Sequence, residues 1–379
     1  MTDSGVSTDS IDVILIGAST RAAAMSARRA GLTPWCADLF ADADLERIAV
    51  ARRVPVDAYP ECFLASLADA PRVPVIYTGA LENSPNLIRR IDRPLWGNSA
   101  TVLNAVRSPA HWTACLRACG IPHPLSTDRP TTVGRWLLKP RRSGSGVGIR
   151  AYTGQPFNPR THFLQEWISG IPCSAIYLGQ GDQAILLGIT RQLVGTPWLN
   201  ATGFHYAGNI ELPLQALMEE CWHNIGTALA RSFRLRGLFG VDVILRNGEP
   251  WPIEINPRYT ASVEVLERGL NLPLLALHRE VFESNQRIAP TQCAARAGGN
   301  SNRWETIHGK AILYARESVT FPADGPWCGS TDYADIPHAG DLIEKGRPVL
   351  TLFASAATVD DCCLKLREKA QALDRALWG

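Results

Sequence analysis

The sequence predicts a mixed fold, α/β at its start and α+β beyond it. Three observations carry this. Apolar runs and an Ala-rich helical run alternate between residues 11 and 79. Two apolar strands flank Asn247-Gly248 shortly after a long amphipathic stretch. Strand-like runs and a closing helical run follow residue 305. These divide the chain into residues 1–105, an N-terminal parallel-sheet domain; 106–290, a central domain; and 291–379, a small β-rich domain with a final helix. With 379 residues and 46% hydrophobic content, two or three cores are affordable.

The elements follow in order. "IDVILIGAST" is an apolar strand running into a turn, and "RAAAMSARRAG" is a helix stopped by Gly31. "TPWCADLF" and "VPVIYTG" read as further strands, so strand and helix alternate as in a parallel sheet with crossover helices. After Gly17 the turn reads "GASTRA" rather than GxGxxG, which disfavours NAD and a dehydrogenase. Ser19, Thr20 and Arg21 either cap the helix or offer its N-terminus to a small anion.

"SPAHWTACLRACG" is a short helix with Ser108 as N-cap, Pro109 at its first position and Gly120 past its end. From Trp136 to Pro257 the pattern is mainly strands around one helix, "LQALMEECWHNIGTALARSF". There Leu214, Leu217, Met218, Cys221, Ile225, Ala228, Leu229 and Phe233 repeat at helical spacing and predict a buried stripe. Residues 290–302 are small and polar and suggest a boundary. "KAILYARE" and "PVLTLFASA" are strand-like, and "TVDDCCLKLREKAQALDRAL" is the last helix.

A net charge of +2 with basic residues spread along the chain argues against a nucleic-acid partner. The N-terminus lacks a signal-peptide pattern and no apolar run approaches membrane-spanning length, so no membrane partner and a cytoplasmic location are expected. The ten cysteines form no CxxC and read as reduced residues.

The first functional signal is "LLKPRRSGSGVGIR". Lys139 is the only lysine before Lys310, and it ends an apolar strand. Ser143, Gly144, Ser145, Gly146 and Gly148 follow. Glycines let backbone N–H groups approach phosphate oxygens, and serine hydroxyls add donors. A compact ammonium on a flexible stem suits a phosphate. This is not a Walker A loop, because the lysine precedes the glycines.

The second signal is "GLFGVDVILRNGEPWPIEINPRY". Period-two alternation puts Glu254, Asn256 and Arg258 on one face of the return strand, and Asp242 opposite Val241 and Val243 on the other strand. A tight Asn-Gly turn would pair Asp242 with Ile253. Bringing Asp242 to Glu254 therefore predicts a three-residue connection with Gly248 in the left-handed region. Two carboxylates and an amide would then converge as hard oxygen ligands for Mg²⁺.

Together these segments resemble the ATP-grasp superfamily. The resemblance rests on Lys139 with "RRSGSGVGI", on "LQEWISG" and on "FGVDVILRNGEPWPIEINPR", and covers about residues 106–285. It implies an ATP-grasp fold with an N-terminal Rossmann-like domain. It also implies roles. Lys139 would contact ATP phosphates under a glycine lid of residues 143–148. Glu166, Trp167 and Ile168 would form the adenine hinge, with Glu166 on the exocyclic amine. Asp242, Glu254 and Asn256 would hold Mg²⁺, two ions by family habit, with Mn²⁺ as an alternative. Arg258 would stabilise the transferring phosphoryl group, with Arg191 on a neighbouring strand. Arg107 is the nearest stand-in for an upstream ATP-contacting lysine that the chain lacks.

The implied activity is an ATP-dependent ligase joining a carboxylate to an amine through an acylphosphate. The layout is also similar to ATP-grasp proteins associated with one-carbon cofactor genes of the tetrahydromethanopterin and methylofuran type. That points to small-molecule carboxylate and amine substrates, glutamate-like acids among them. Arg21, Arg142 and Arg258 are available cations for an acidic substrate, His205 is either an acceptor-site or a structural residue, and a homodimer is the expected assembly. A carboxylase using bicarbonate and a non-catalytic nucleotide-binding regulator remain as alternatives.

Overall fold

The structure, a computed structural model, describes residues 11–129, 131, 133–213, 219–284, 286–296 and 305–379. The first layer is built from β1 (Val13–Gly17), α1 (Arg21–Arg29), β2 (Pro34–Asp38), α2 (Ala43–Glu46), β3 (Val50–Arg53), α3 (Cys62–Leu67) and β4 (Val75–Tyr77). The four strands pair in parallel in the order β3-β2-β1-β4. β1 and β2 are buried along their whole length, as continuous apolar runs in a parallel sheet should be. β3, "VARR", was not anticipated; it is an edge strand whose arginines face solvent.

The dinucleotide option closes here. Asp38 ends β2, where such folds place the acid that binds ribose. Its carboxylate already accepts from Thr20 N (2.6 Å), Thr20 Oγ1 (2.8 Å) and Phe40 N (2.8 Å). A Cβ at Gly17 would lie 2.0 Å from Thr78 Oγ1, so the turn is filled from within.

Helices α4 (Pro85–Arg89), α5 (Ala100–Val106) and α6 (Pro109–Ala118) lead into the centre. Ser108 is the N-cap of α6, as expected, and Gly120 follows its end at φ +66°. Next, β5 (Ser126–Thr127), β6 (Trp136–Pro140), β7 (Arg150–Ala151) and β8 (His162–Glu166) form a small antiparallel sheet ordered β5-β8-β6-β7.

The remaining elements are β9 (Ile171–Gln180), β10 (Ala184–Val194), β11 (Tyr206–Leu212), α7 (Glu219–Phe233), β12 (Arg236–Arg246), β13 (Glu249–Asn256), α8 (Ala261–Leu270), α9 (Leu274–Glu283) and α10 (Pro290–Arg296), then β14 (Ile307–Tyr314), β15 (Val319–Thr320), β16 (Tyr333–Ala334), β17 (Leu342–Ile343), β18 (Pro348–Ala356) and α11 (Val359–Trp378). One sheet of eight strands runs β13-β12-β9-β10-β11-β14-β18-β16. The C-terminal strands therefore do not stand apart. β14 continues the central sheet by pairing with β11, Gly208 opposite Ala311.

Helix α7 packs on this sheet with its buried face turned from the expected stripe, Ala228 and Phe233 being only half-buried. Cys221 is exposed, and Trp222, Ile225, Gly226, Leu229 and Ala230 form the buried face. A Cβ on Gly226 would lie 2.4 Å from the Tyr177 ring, which explains a glycine inside this helix. Leu214, Leu217 and Met218 lie outside the described residues, as do residues 297–302 of the boundary expected at 290–302, whose first part is the helix α10 (Pro290–Arg296). All ten cysteines are free. Among the described residues no helix is long and apolar enough to cross a membrane.

The three parts of the chain meet at Arg21, which is 2% exposed. Its guanidinium donates to Glu264 of α8 and to Asp335 beside β16, and Lys310 Nζ of β14 donates to Glu264 at 3.0 Å. Burial alone would raise the Glu264 carboxyl, but Arg21 and Lys310 outweigh it and hold it well below the usual carboxylate range. Arg21 is thus spent on the fold and is not a cation for an acidic substrate.

Candidate active site

The site begins with the hairpin β12–β13. Asn247 (φ +51°) and Gly248 (φ +83°) are both left-handed and join Arg246 to Glu249, so the connection is a two-residue turn and not the expected three-residue one. Asp242 nevertheless sits opposite Glu254. The correction lies further up the ladder. Val243 pairs with Pro252 and Asp242 with Glu254, which leaves Ile253 as the extra residue of a bulge. Pro252 lacks an N–H, so a break in the ladder there costs little.

Several side chains meet around this register. Asn256 Nδ2 donates to Asp242 Oδ2 (3.0 Å), and Gln192 Nε2 of β10 donates to Asp242 Oδ1 (2.9 Å). Arg258 Nη2 donates to Asn256 Oδ1 at 3.2 Å. Burial, and then the neighbouring Glu254 charge, push the Asp242 carboxyl up to about 6, against hydrogen bonds from Ser174 and Asn256. Two half-buried carboxylates that repel each other fit a divalent cation. No three of His, Cys, Asp and Glu gather as a metal cage among the described residues. Mg²⁺ takes one or two carboxylates and completes its shell with phosphate oxygens and water.

Lys139 approaches from the small sheet. It is 6% exposed, and its Nζ donates to Gln165 Oε1 at 3.1 Å. Gln165 Nε2 in turn donates to Ile253 O (3.1 Å), so the bulge anchors the lysine's partner. Burial lowers the Lys139 pKa, opposed by the charges of Glu254 and Asp242, which places the ammonium within their field. The cleft between them is lined by Arg107, Lys139, Ser143, Gly144, Gly146 and Glu254, among others.

The glycine loop lies over this cleft. Ser145 (φ +54°), Gly146 (φ +76°) and Gly148 (φ +78°) are left-handed. Tyr206 N donates to Ser145 O (3.1 Å), and a Cβ on Gly146 would meet Phe204 O at 1.8 Å. Ser143 Oγ turns back onto Val147 O (2.5 Å).

The hinge segment ends β8. Lys139 pairs with Phe163 and Trp136 with Glu166, so Glu166 lies three residues along the strand from the lysine, on the order of 10 Å. Glu166 Oε2 accepts from Leu125 N (3.1 Å), Trp167 N donates to Arg135 O (2.8 Å), and Ile168 is buried. The Trp167 ring packs edge-on against Phe204, joining the hinge to the loop's support.

Two arginines complete the site and one does not. Arg107, at the end of α5, donates to Glu254 Oε1 (3.0 Å) and pairs with Glu82 (3.2 Å). Arg258 donates to the same Glu82 oxygen at 2.5 Å. The Nε atoms of both arginines are buried without a hydrogen-bond partner among the described residues, which suits an incoming anion. Arg191 stands on the far face of β10. Its side chain is 40% exposed and lies 4.0 Å from Asp360, while the next residue, Gln192, faces Asp242. Strand alternation, misjudged by one position, accounts for the error. His205 stacks on Tyr314, which favours the structural role. Arg142 is exposed on the loop.

Residues 110–262 match the family model described as "ATP-grasp domain". That segment, less than half of the chain, is thus similar to ATP-grasp domains. The overall fold of the chain agrees. An L-amino acid ligase from Bacillus licheniformis superposes with a TM-score of 0.66 at 15% identity, covering 94% of this chain and 96% of that one. A pyruvate carboxylase of Rhizobium etli superposes with a TM-score of 0.69 at 12% identity, over 94% of this chain but 36% of the carboxylase. An uncharacterised protein of Methanocaldococcus jannaschii is 26% identical over 193 residues, 50% of this chain and 41% of that one. The chain thus spans less than half the length of that relative.

Sequence reasoning missed Glu82, Gln165 and Gln192. Gln165 and Gln192 are polar residues in apolar strands, a signal that was visible in "FLQEW" and "TRQLV". Glu82 sits in a short 3₁₀ turn with no periodicity to mark it.

Proposed function

We propose that this protein is an ATP-dependent ligase that joins a carboxylate to an amine and releases ADP and phosphate. The observation that carries the reading is the buried Lys139 sharing one cleft with Glu254 and the glycine loop, with Asp242 directly opposite Glu254 across the ladder. Asp242, Glu254 and Asn256 would hold Mg²⁺, which neutralises phosphate charge when bound. Lys139 binds phosphate oxygens, Arg258 and Arg107 offer guanidinium donors to the transferring group, and the loop excludes water from it.

In the first step a substrate carboxylate oxygen attacks the γ-phosphorus, and the bond to ADP breaks. In the second an amine attacks the acyl carbon of the resulting acylphosphate, phosphate leaves, and the amine loses its proton. The chain's own part is positioning and charge neutralisation; no side-chain nucleophile is required. Amino acids, glutamate-like acids included, are the finer substrate class. Support for it is the resemblance in layout and the similarity to an amino acid ligase fold.

Hydroxylamine trapping tests this. The protein is incubated with ATP, Mg²⁺, hydroxylamine and a panel of amino acids and other carboxylates, and ADP and hydroxamate are measured. A hydroxamate formed with ADP in equal amount supports the ligase. ADP release that responds to bicarbonate but yields no hydroxamate indicates a carboxylase instead. Nucleotide binding with no ADP under any condition would leave a regulator.

A further inference from the structure

The short turn after β4 carries two residues that reach across to the central domain. Its entry residue, Ala80, has φ +77°, a conformation that L residues seldom adopt. Asn83 Nδ2 donates to Ser143 O in the glycine loop at 3.1 Å. Glu82 is fully buried, and its Oε1 serves both Arg258 (2.5 Å) and Arg107 (3.2 Å). Burial would raise this carboxyl, yet the two arginines outweigh it and hold it below the ordinary value, so Glu82 is charged.

Each arginine also touches a residue read here as a divalent-ion ligand. Arg107 donates to Glu254 Oε1, and Arg258 to Asn256 Oδ1. A guanidinium and a divalent ion compete for the same oxygen. Both arginines are largely buried, with side chains 16% and 13% exposed, and cannot turn out to water. The carboxylates acting on Arg258 are Glu82 first, then Glu254 and Asp242. Without the Glu82 charge, both cations would lean on the ligand set.

We propose that Glu82 is a positioning residue that shares Arg107 and Arg258 with Glu254 and Asn256, weakens the arginines' hold on those two residues and thereby sets the site's affinity for its divalent ion. This rests on the reading of Asp242, Glu254 and Asn256 as ion ligands. Glu82 is fully buried against the two arginines and acts by holding these competing cations. It also explains why a residue of the N-terminal domain belongs to the site at all.

The test is Mn²⁺ binding at saturating non-hydrolysable ATP analogue, followed by the free Mn²⁺ resonance. Glu82→Gln is expected to raise the Mn²⁺ half-saturation ~10-fold or more, the scale of an outer partner of a metal site. The double variant Glu82→Gln with Arg107→Met is expected to return it most of the way, because the competing cation is gone. General damage predicts the opposite, a double variant at least as weak as the single. That result, or an unchanged Glu82→Gln, overturns the proposal. If Glu82→Gln does not fold, Arg107→Met alone is measured; tighter Mn²⁺ binding supports the proposal and weaker or equal binding overturns it. A wild-type protein that binds no Mn²⁺ with the analogue would remove the ion-site reading itself, which is a separate failure.

Discussion

Asp242 and Glu254 stand directly opposite each other across the β12–β13 ladder, although the two-residue Asn247-Gly248 turn would by itself set Asp242 against Ile253. The bulge at Ile253 converts one register into the other. Setting two half-buried acids opposite each other is costly in stability, and bulges of this kind are frequent next to active sites.

Removing a ligand from this pair is expected to be costly for turnover. Glu254→Ala and Asn256→Ala should each lower the rate of ADP formation at least ~10-fold, judged from what even outer partners of metal sites contribute. Steady-state assays across a Mg²⁺ titration check this; full activity in both variants would take them out of the site.

Lys139→Met should weaken ATP binding with little loss of stability. The side chain's length is retained, and a buried ammonium whose pKa burial lowers no longer has to be desolvated. Calorimetric titration with the ATP analogue is the check, and equal affinity would deny the lysine its phosphate role.

Neighbouring residues on β10 should behave differently. Gln192→Ala removes a donor from Asp242 and should reduce Mg²⁺-dependent nucleotide binding. Arg191→Ala removes an exposed side chain on the other face and should leave it within error of wild type.

Gly146→Val should strike the loop rather than the cores. Its Cβ would meet Phe204 O at 1.8 Å, and φ is +76°, so the loop must lift from its support. Turnover per folded molecule should fall more than melting temperature does. A lower melting temperature with full specific activity would show that the loop does not cover the reaction.

His278 supplies a pH dependence outside the site. It is buried, its Nδ1 accepts from Leu238 N, and its Nε2 donates to Trp96 O. Burial lowers its pKa from 6.5 to about 4, against the hydrogen bond to Trp96. The unfolded chain therefore binds the extra proton first, and the neutral side chain's contribution, about 3 kcal/mol, is lost as pH falls from 6.5 towards 4. His278→Gln keeps a donor and an acceptor without the titration. Denaturant unfolding across that range should give a shallower pH slope for the variant than for wild type.

Much of this was legible because it is written in strand periodicity. Asp242, Glu254 and Asn256 are polar residues at alternating positions in apolar strands, and Lys139 ends another such strand. The failures have physical causes. The turn was misread because register alone does not say where along a hairpin the extra residue goes. Arg191 rather than its neighbour Gln192 faces away from Asp242, which a lone strand does not reveal because its sequence does not say which of its faces is which. Arg21 was taken for a substrate cation because its partners, Glu264 and Asp335, lie 243 and 314 residues away in sequence. Glu82 was invisible for the same reason, as its role exists only once Arg107 and Arg258 have been brought to it.

The most direct test is calorimetric titration of wild type and Glu254→Ala with the ATP analogue, in Mg²⁺ and in EDTA. Wild type should bind tightly in Mg²⁺ and far more weakly in EDTA, and Glu254→Ala should lose most of that difference. Identical isotherms for wild type in the two buffers would contradict the shared cleft for ion and triphosphate on which the account stands.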